Sequence, residues 1–221
     1  MKPIIKVCGL RDSENIRQVA ALGIDWIGMI FWKKSPRNVT MIASNAGIIP
    51  DRASLLPPSS HQSPLRVGVF VDEMAQNIIT RIVNFKLDIV QLHGHETPTL
   101  IRNLRRTLSD IRPVKFMKTI SVGSRDDIEL YKNYTDCVDF FLFDTKCPSV
   151  GGSGQQFDWS VLEAYNGDKP FLLSGGIGPD DVERVLAFHH PKCIGFDLNS
   201  KFESEPGIKD INKLKQFLEQ L

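Results

Sequence analysis

IIKVCGLRDSENIRQVAALG, residues 4–23, holds one complete strand, turn and helix, and its turn decides between the two folds that such units build. IIKVCG at 4–9 is a short run rich in β-branched residues, as a strand buried on both faces requires. SENIRQVAALG then places Ile16, Val19 and Ala20 on one face at helical spacing, with Ser13 and Glu14 as the start signal. The turn between them reads Cys8-Gly9-Leu10-Arg11. A doubly wound open sheet would be expected to carry the G-x-G-x-x-G phosphate fingerprint there, and this turn lacks it.

Seven further runs of the same kind follow: DWIGMIF at 25–31, LRVGVFV at 65–71, DIVQLHG at 88–94, VKFMKTI at 114–120, DFFLFDT at 139–145, PFLLSGG at 170–176 and CIGFDLN at 193–199. Helical patterns alternate with them. MAQNIITRIVNF aligns Ile78, Ile82 and Phe85; Thr97 before Pro98 and Gly178-Pro179-Asp180-Asp181 read as helix starts. GIKDINKLKQFLEQL reads as a closing helix with Ile208, Ile211, Leu214 and Leu218 inward. Parallel neighbours need crossovers of a dozen or more residues, so eight units in 221 residues leave room for one architecture. The expectation is an α/β fold: a single (β/α)8 TIM barrel of eight parallel strands, one domain spanning residues 1–221. The stretch from Asn38 to Pro64, with its PPSSHQSP patch, reads as a helix in its first half and an exposed loop after it.

Composition narrows the partners. Lys and Arg number 27 against 26 Asp and Glu, so no strong field favours nucleic acid or an anionic membrane surface. The four cysteines, Cys8, Cys137, Cys147 and Cys193, form no C-x-x-C pair, which argues against a zinc knuckle or a dithiol redox centre. The N-terminus has no signal-peptide core and no stretch approaches membrane-spanning length, so a cytoplasmic protein with reduced thiols is expected. Sequons at Asn38 and Asn133 carry no weight in that setting.

Barrel active sites lie at the C-terminal ends of the strands, and here those ends are chemically rich. Cys8 ends the first run and Asp144 the sixth, on opposite sides of the mouth. A thiol, with an ordinary pKa of about 8.5, needs only a modest drop to act as a base near neutrality. A carboxyl delivered by the apolar FFLF would be pushed up toward a useful acid. Read blandly, Cys8 is a small buried hydrophobe and Asp144 a loop cap. SGGIGPDD offers unobstructed backbone N–H groups ahead of a helix, so Gly175 and Gly176, with Asn199 and Ser200 after the eighth run, form a candidate phosphate site. Plain turn formation would also account for the two glycines. HGHE at 93–96 contains metal-ligand types, but neighbours on so short a turn rarely converge, and no metal site is assigned. Arg37, after Ser35-Pro36, suits a bidentate grip on a carboxylate.

Taken in order, KVCGLRD, IGMIFWKKSPRNV, VGVFVDE, VQLHGHE, LFDT, GGSGQQFDW, LSGGI and GFDLNS resemble one family, phosphoribosylanthranilate isomerase, over nearly the whole chain. The resemblance implies an Amadori rearrangement of N-(5-phosphoribosyl)anthranilate to 1-(2-carboxyphenylamino)-1-deoxyribulose 5-phosphate, in tryptophan biosynthesis, without metal or organic cofactor. It implies Cys8 as general base and Asp144 as general acid. Arg37 would hold the anthranilate end, His93 and Asp197 would line the pocket, and Gly175, Gly176, Asn199 and Ser200 would hold the phosphate. Asn199 and Lys201 depart from the small residue and glycine of the family pattern. The partner implied is a phosphorylated small molecule, with a monomer or homodimer as the working unit. Two rivals stand beside it: another sugar-phosphate barrel enzyme of the tryptophan or histidine pathways, and a catalytically silent sugar-phosphate-binding barrel.

Overall fold

The computed structural model describes residues 2–40, 63–146 and 158–221. Eight parallel strands close a barrel in chain order: β1 (Ile4–Val7), β2 (Trp26–Ile30), β3 (Leu65–Phe70), β4 (Ile89–Leu92), β5 (Lys115–Val122), β6 (Phe140–Thr145), β7 (Phe171–Leu173) and β8 (Cys193–Leu198). Pairing of β1 with β8, Lys6 opposite Asp197, completes the ring. Each expected run contains one strand. In β1, β4, β7 and β8 the C-terminal residues of the run have left the ladder at the mouth, whereas β5 runs on to Val122.

Helices α1 (Ser13–Ala21), α2 (Ala75–Phe85), α3 (Pro98–Leu108), α4 (Arg125–Ile128), α5 (Val182–Ala187) and α6 (Ile211–Leu218) are described in the outer ring. Ile16, Val19 and Ala20 of α1 and Ile78, Ile82 and Phe85 of α2 are buried, as their spacing required. Each such side chain contributes about 1.5–3 kcal/mol when fully buried. Thr97 caps α3, its hydroxyl accepting from Leu100 N with Pro98 in the first turn.

At the N-terminal face a carboxylate just ahead of β2, β4 and β6 ties down the strand before each. Asp25 accepts from Ile5 N at 2.8 Å, Asp88 from Arg66 N at 2.9 Å and Asp139 from Phe116 N at 2.8 Å. These aspartates open three of the runs named above and hold the strand ends opposite the mouth.

Inside the barrel the side-chain period of two separates a floor from a site. Trp26, Val67, Ile89, Met117, Leu142 and Leu172 pack together as an apolar floor, with Ile4 against them. Two residues further along, most inward positions change character: Lys6, Gln91, Thr119, Asp144 and Ser174 are polar, Gly28 has no side chain and Val69 stays apolar. The pleat that aims the floor inward therefore aims the polar set into the mouth.

Three local expectations are corrected. Helix α1 is capped by Asp12 rather than Ser13; its carboxylate accepts from Asn15 N at 2.8 Å. The closing segment is not helical throughout. Glu203–Glu205 (β9) and Ile208–Lys209 (β10) form an antiparallel hairpin across Pro206-Gly207, where Gly207 takes φ +93°. Helix α6 then starts from Asp210, whose carboxylate accepts from Asn212 N and Lys213 N, both at 3.1 Å. Leu214 and Phe217 are its buried residues, while Ile208 lies on β10 and Ile211 and Leu218 are half-buried. Finally, a 3₁₀ turn (Pro179–Asp181) precedes an α5 of only 6 residues, so little macrodipole stands behind the glycine pair. The expected helix and loop between Asn38 and Pro64 fall mainly on 41–62, outside the described residues, as does Cys147.

Candidate active site

Cys8 follows the last residue of β1 and is 4% exposed. Its side chain occupies the space that Gly28 leaves on β2: a Cβ at 28 would stand 2.9 Å from Sγ. Two residues earlier on the same face, Lys6 is wholly buried, and its Nζ donates to Asp197 Oδ1 at 2.9 Å. The sequence reading singled out Asp197 but missed Lys6. A lysine inside the apolar run IIKVCG was the available signal, because a buried ammonium requires a partner.

Burial pushes the Cys8 thiol above its usual pKa, while the ammonium groups of Lys6 and Lys209 pull it down and Asp197 pushes it up, so the drop expected of a base is outweighed by desolvation in the barrel mouth. Asp144, at the C-terminal end of β6, is also raised: burial dominates, opposed by hydrogen bonds from Thr145 N and the Ser174 side chain and by the charge of Lys6. The buried cation Lys6 is thus felt by both candidate groups. Asp197 is raised as well, by burial first, against Lys6.

His93, just past β4, places Nε2 3.5 Å from Asp144 Oδ2. The Gln91 amide nitrogen lies 3.3 Å from His93 Nδ1 and 3.1 Å from Thr119 Oγ1, so Gln91 braces the ring from the side away from Asp144. Burial, then the charges of Lys118 and Lys6, depress the His93 pKa to about 4, so the imidazole is neutral at pH 7. The other members of HGHE diverge from it. His95 is exposed beside Asp72, and Glu96 is buried against Lys118 Nζ at 3.1 Å while accepting from Asp72 N and Gly94 N. Among the described residues no three His, Cys, Asp or Glu side chains gather as a metal site.

On the far rim Gly175 and Gly176 take φ +100° and +67°, values that L side chains rarely adopt. A Cβ at Gly175 would also meet Thr145, so the close approach of this loop to β6 needs glycine. Ser200 opens a 3₁₀ turn (Ser200–Phe202) on the neighbouring loop. Asn199 Oδ1 accepts from Lys209 Nζ at 2.8 Å and its side chain packs over Gly9, which leaves its Nδ2 as the group able to donate to a phosphate. Arg37 crosses Gly9 too and is engaged by Glu203, Nε to Oε1 at 2.9 Å and Nη2 to Oε2 at 2.7 Å. Glu203 and Lys209 sit on the hairpin that the sequence reading took for helix or loop.

Cys8, Arg37, His93, Asp144, Gly175, Gly176, Asn199 and Ser200 all belong to the same end of the barrel, with Asp197 one level below. A thiol and a carboxyl of raised pKa from opposite strands, a neutral imidazole, a guanidinium and a glycine loop suit acid–base chemistry on a small anionic substrate.

Comparison with known proteins agrees. A family model described as PRAI, N-(5'phosphoribosyl)anthranilate (PRA) isomerase, matches residues 5–220. The N-(5'-phosphoribosyl)anthranilate isomerase of Parabacteroides distasonis is 44% identical over 218 residues, 99% of this chain and 93% of that protein. Among solved structures, the phosphoribosyl anthranilate isomerase of Thermotoga maritima aligns with a TM-score of 0.76 at 30% identity, over 99% of this chain and 98% of that one. Another phosphoribosyl anthranilate isomerase, in complex with reduced 1-(o-carboxyphenylamino)-1-deoxyribulose 5-phosphate, aligns with a TM-score of 0.74 at 27% identity, covering 99% and 98%. With its length matched almost end to end, this chain belongs to the N-(5'-phosphoribosyl)anthranilate isomerase family.

Proposed function

We propose that this chain isomerises N-(5'-phosphoribosyl)anthranilate to 1-(2-carboxyphenylamino)-1-deoxyribulose 5-phosphate, in tryptophan biosynthesis, with Asp144 as general acid and Cys8 as general base. The reaction follows from the family. The assignment of roles rests on one observation above all: two buried groups from opposite strands share the charge of Lys6 across one mouth.

Asp144, protonated more readily than an ordinary carboxyl, gives its proton to the ring oxygen as the C1–O bond breaks and the nitrogen lone pair forms the Schiff base. Cys8, as thiolate, takes the proton from C2, and the electrons of that C–H bond pass to the C1–C2 bond as the iminium collapses to an enolamine. Tautomerisation gives the ketone. Lys6 and Lys209 supply counter-charge while Cys8 is ionised. The neutral His93 ring, its Nε2 3.5 Å from Asp144 Oδ2, flanks the Asp144 carboxyl without competing for its proton. Arg37 takes the anthranilate carboxylate, Asp197 sits below it, and Gly175 and Gly176 with Ser200 receive the phosphate through backbone N–H groups. Asn199 acts in the same loop by holding Lys209.

As in the family, the working unit is a monomer or a homodimer. A base that must stay reduced fits a cytoplasmic protein, and among the described residues no helix is long and apolar enough to cross a membrane.

The test follows the anthranilate fluorescence of freshly generated phosphoribosylanthranilate as protein is added. Cys8→Ala and Asp144→Ala should each lower kcat by about 10²- to 10⁴-fold while product binding changes little. Equal losses in binding and rate would overturn the acid–base roles.

A further inference from the structure

The guanidinium of Arg37 has two faces at which a carboxylate can dock in a fork: the side formed by Nε and Nη2, and the end formed by Nη1 and Nη2. Glu203 occupies the side. Arg37 Nε lies 2.9 and 3.0 Å from its two carboxylate oxygens, and Nη2 lies 2.7 Å from Oε2. Among the described residues Arg37 Nη1 donates to no partner, so the end face is left for a ligand.

Glu203 is itself held. Its Oε1 accepts from Lys209 Nζ at 2.7 Å and from Gly207 N at 3.2 Å, within the β9–β10 hairpin. The hairpin in turn is pinned to α1 by Asn15, whose Oδ1 accepts from Lys209 N at 2.7 Å and whose Nδ2 donates to Lys209 O at 2.8 Å. All three charged side chains are largely out of water: Arg37 is 12% exposed, Glu203 5% and Lys209 0%. With two cations to one anion, the cluster stays net positive and still attracts an anion. Gly9 completes the arrangement, because the Arg37 stem runs over it: a Cβ there would stand 2.7 Å from Arg37 Cδ. The Arg37 stem is thereby held over Gly9, the residue after Cys8.

We propose that Glu203 is a positioning residue which, backed by Lys209 and the β9–β10 hairpin, presets the end face of Arg37 for the aromatic carboxylate of the substrate. A free arginine side chain loses rotamer entropy when it grips a ligand, and a prior fork to Glu203 removes most of that cost before the substrate arrives. The inference rests on the reading that Arg37 grips the anthranilate carboxylate, and the experiment separates the two.

The experiment measures dissociation constants by calorimetry for two ligands: reduced 1-(o-carboxyphenylamino)-1-deoxyribulose 5-phosphate and its phenylamino counterpart without the carboxylate. The parent should prefer the carboxylated ligand by roughly ten- to hundred-fold, the worth of hydrogen bonds between charged groups. Arg37→Gln should abolish the preference. Glu203→Gln should shrink it about fivefold or more while leaving the affinity for the phenylamino ligand within about twofold, and Glu203→Asp, keeping charge but losing reach, should fall between. If Arg37→Gln abolishes the preference and Glu203→Gln does not shrink it, the positioning role is wrong while the Arg37 reading stands. If Glu203→Gln weakens both ligands equally, Glu203 merely supports the fold and the proposal fails. A preference that survives Arg37→Gln removes the Arg37 reading and this inference with it. Should Glu203→Gln not fold, the same three comparisons are read on Glu203→Asp.

Discussion

Replacing Lys6 by methionine tests the electrostatic centre of the barrel. The side chain is 0% exposed and bonded at 2.9 Å to Asp197, which is 6% exposed, so Lys6→Met leaves a carboxylate buried without its cation. Breaking a buried pair from one side costs about 3–5 kcal/mol. For a chain of this length each kcal/mol lowers Tm by about 2–4 °C, so the drop should be on the order of 6–20 °C at pH 8. Asp197 is already raised above the ordinary carboxylate pKa with Lys6 in place, and higher still without it. A raised carboxyl takes up a proton in the folded state before the unfolded chain does. Stability of the variant is therefore retained near pH 4 and lost, by about 1.4 kcal/mol per pH unit, as pH rises toward the folded-state pKa. The deficit against the parent should be smaller at pH 5 than at pH 8. Thermal melts of parent, Lys6→Met and Lys6→Met/Asp197→Asn across that range decide the matter, with the double variant recovering most of the loss. The same melts can be paired with the rate of Cys8 alkylation, which should fall in Lys6→Met because its thiolate has lost a cation. A Tm within about 2 °C of the parent at pH 8, or a double variant no more stable than the single one, would falsify the reasoning.

Two further outcomes follow from the site. Because His93 titrates at about 4 when folded and near 6.5 when unfolded, it contributes stability above pH 6.5 that is lost as pH falls toward 4, on the order of 3 kcal/mol in all. His93→Gln should flatten that part of the stability profile, and an NMR titration placing the imidazole above pH 6 in the parent would refute the assignment. Gly28→Ala puts a methyl group 2.9 Å from Cys8 Sγ. Displacing the thiol by a fraction of an ångström up to an ångström should lower kcat by roughly 10- to 100-fold with little change in product affinity, and an unaltered kcat would show that Sγ has room to move.

The fold was legible because its signal is local. Each run such as FFLF or PFLL is apolar on both faces, and each helix between runs repeats its apolar residues every three or four positions. A parallel barrel needs nothing more than that alternation repeated eight times. The chemistry at Cys8 and Asp144 was legible for the related reason that a polar residue ending an apolar run must come out at the mouth. The C-terminal segment was misread because Ile208, Ile211 and Leu214 happen to keep helical spacing. Pro206-Gly207 and the cap at Asp210, both present in the sequence, were the better guides.

What the sequence by itself determined is the order of strand and helix, the end of the barrel that carries the site, and most residues that reach it. Only the tertiary structure decided how those charges are shared. Lys6 meets Asp197 across 191 positions, Arg37 meets Glu203 across 166, and Asn15 meets Lys209 across 194. Spacing in a chain reports which neighbours share a face, but a charge buried in a closed barrel finds its partner through the closure itself. Closure joins β1 to β8 and so brings the two ends of the sequence into one cluster.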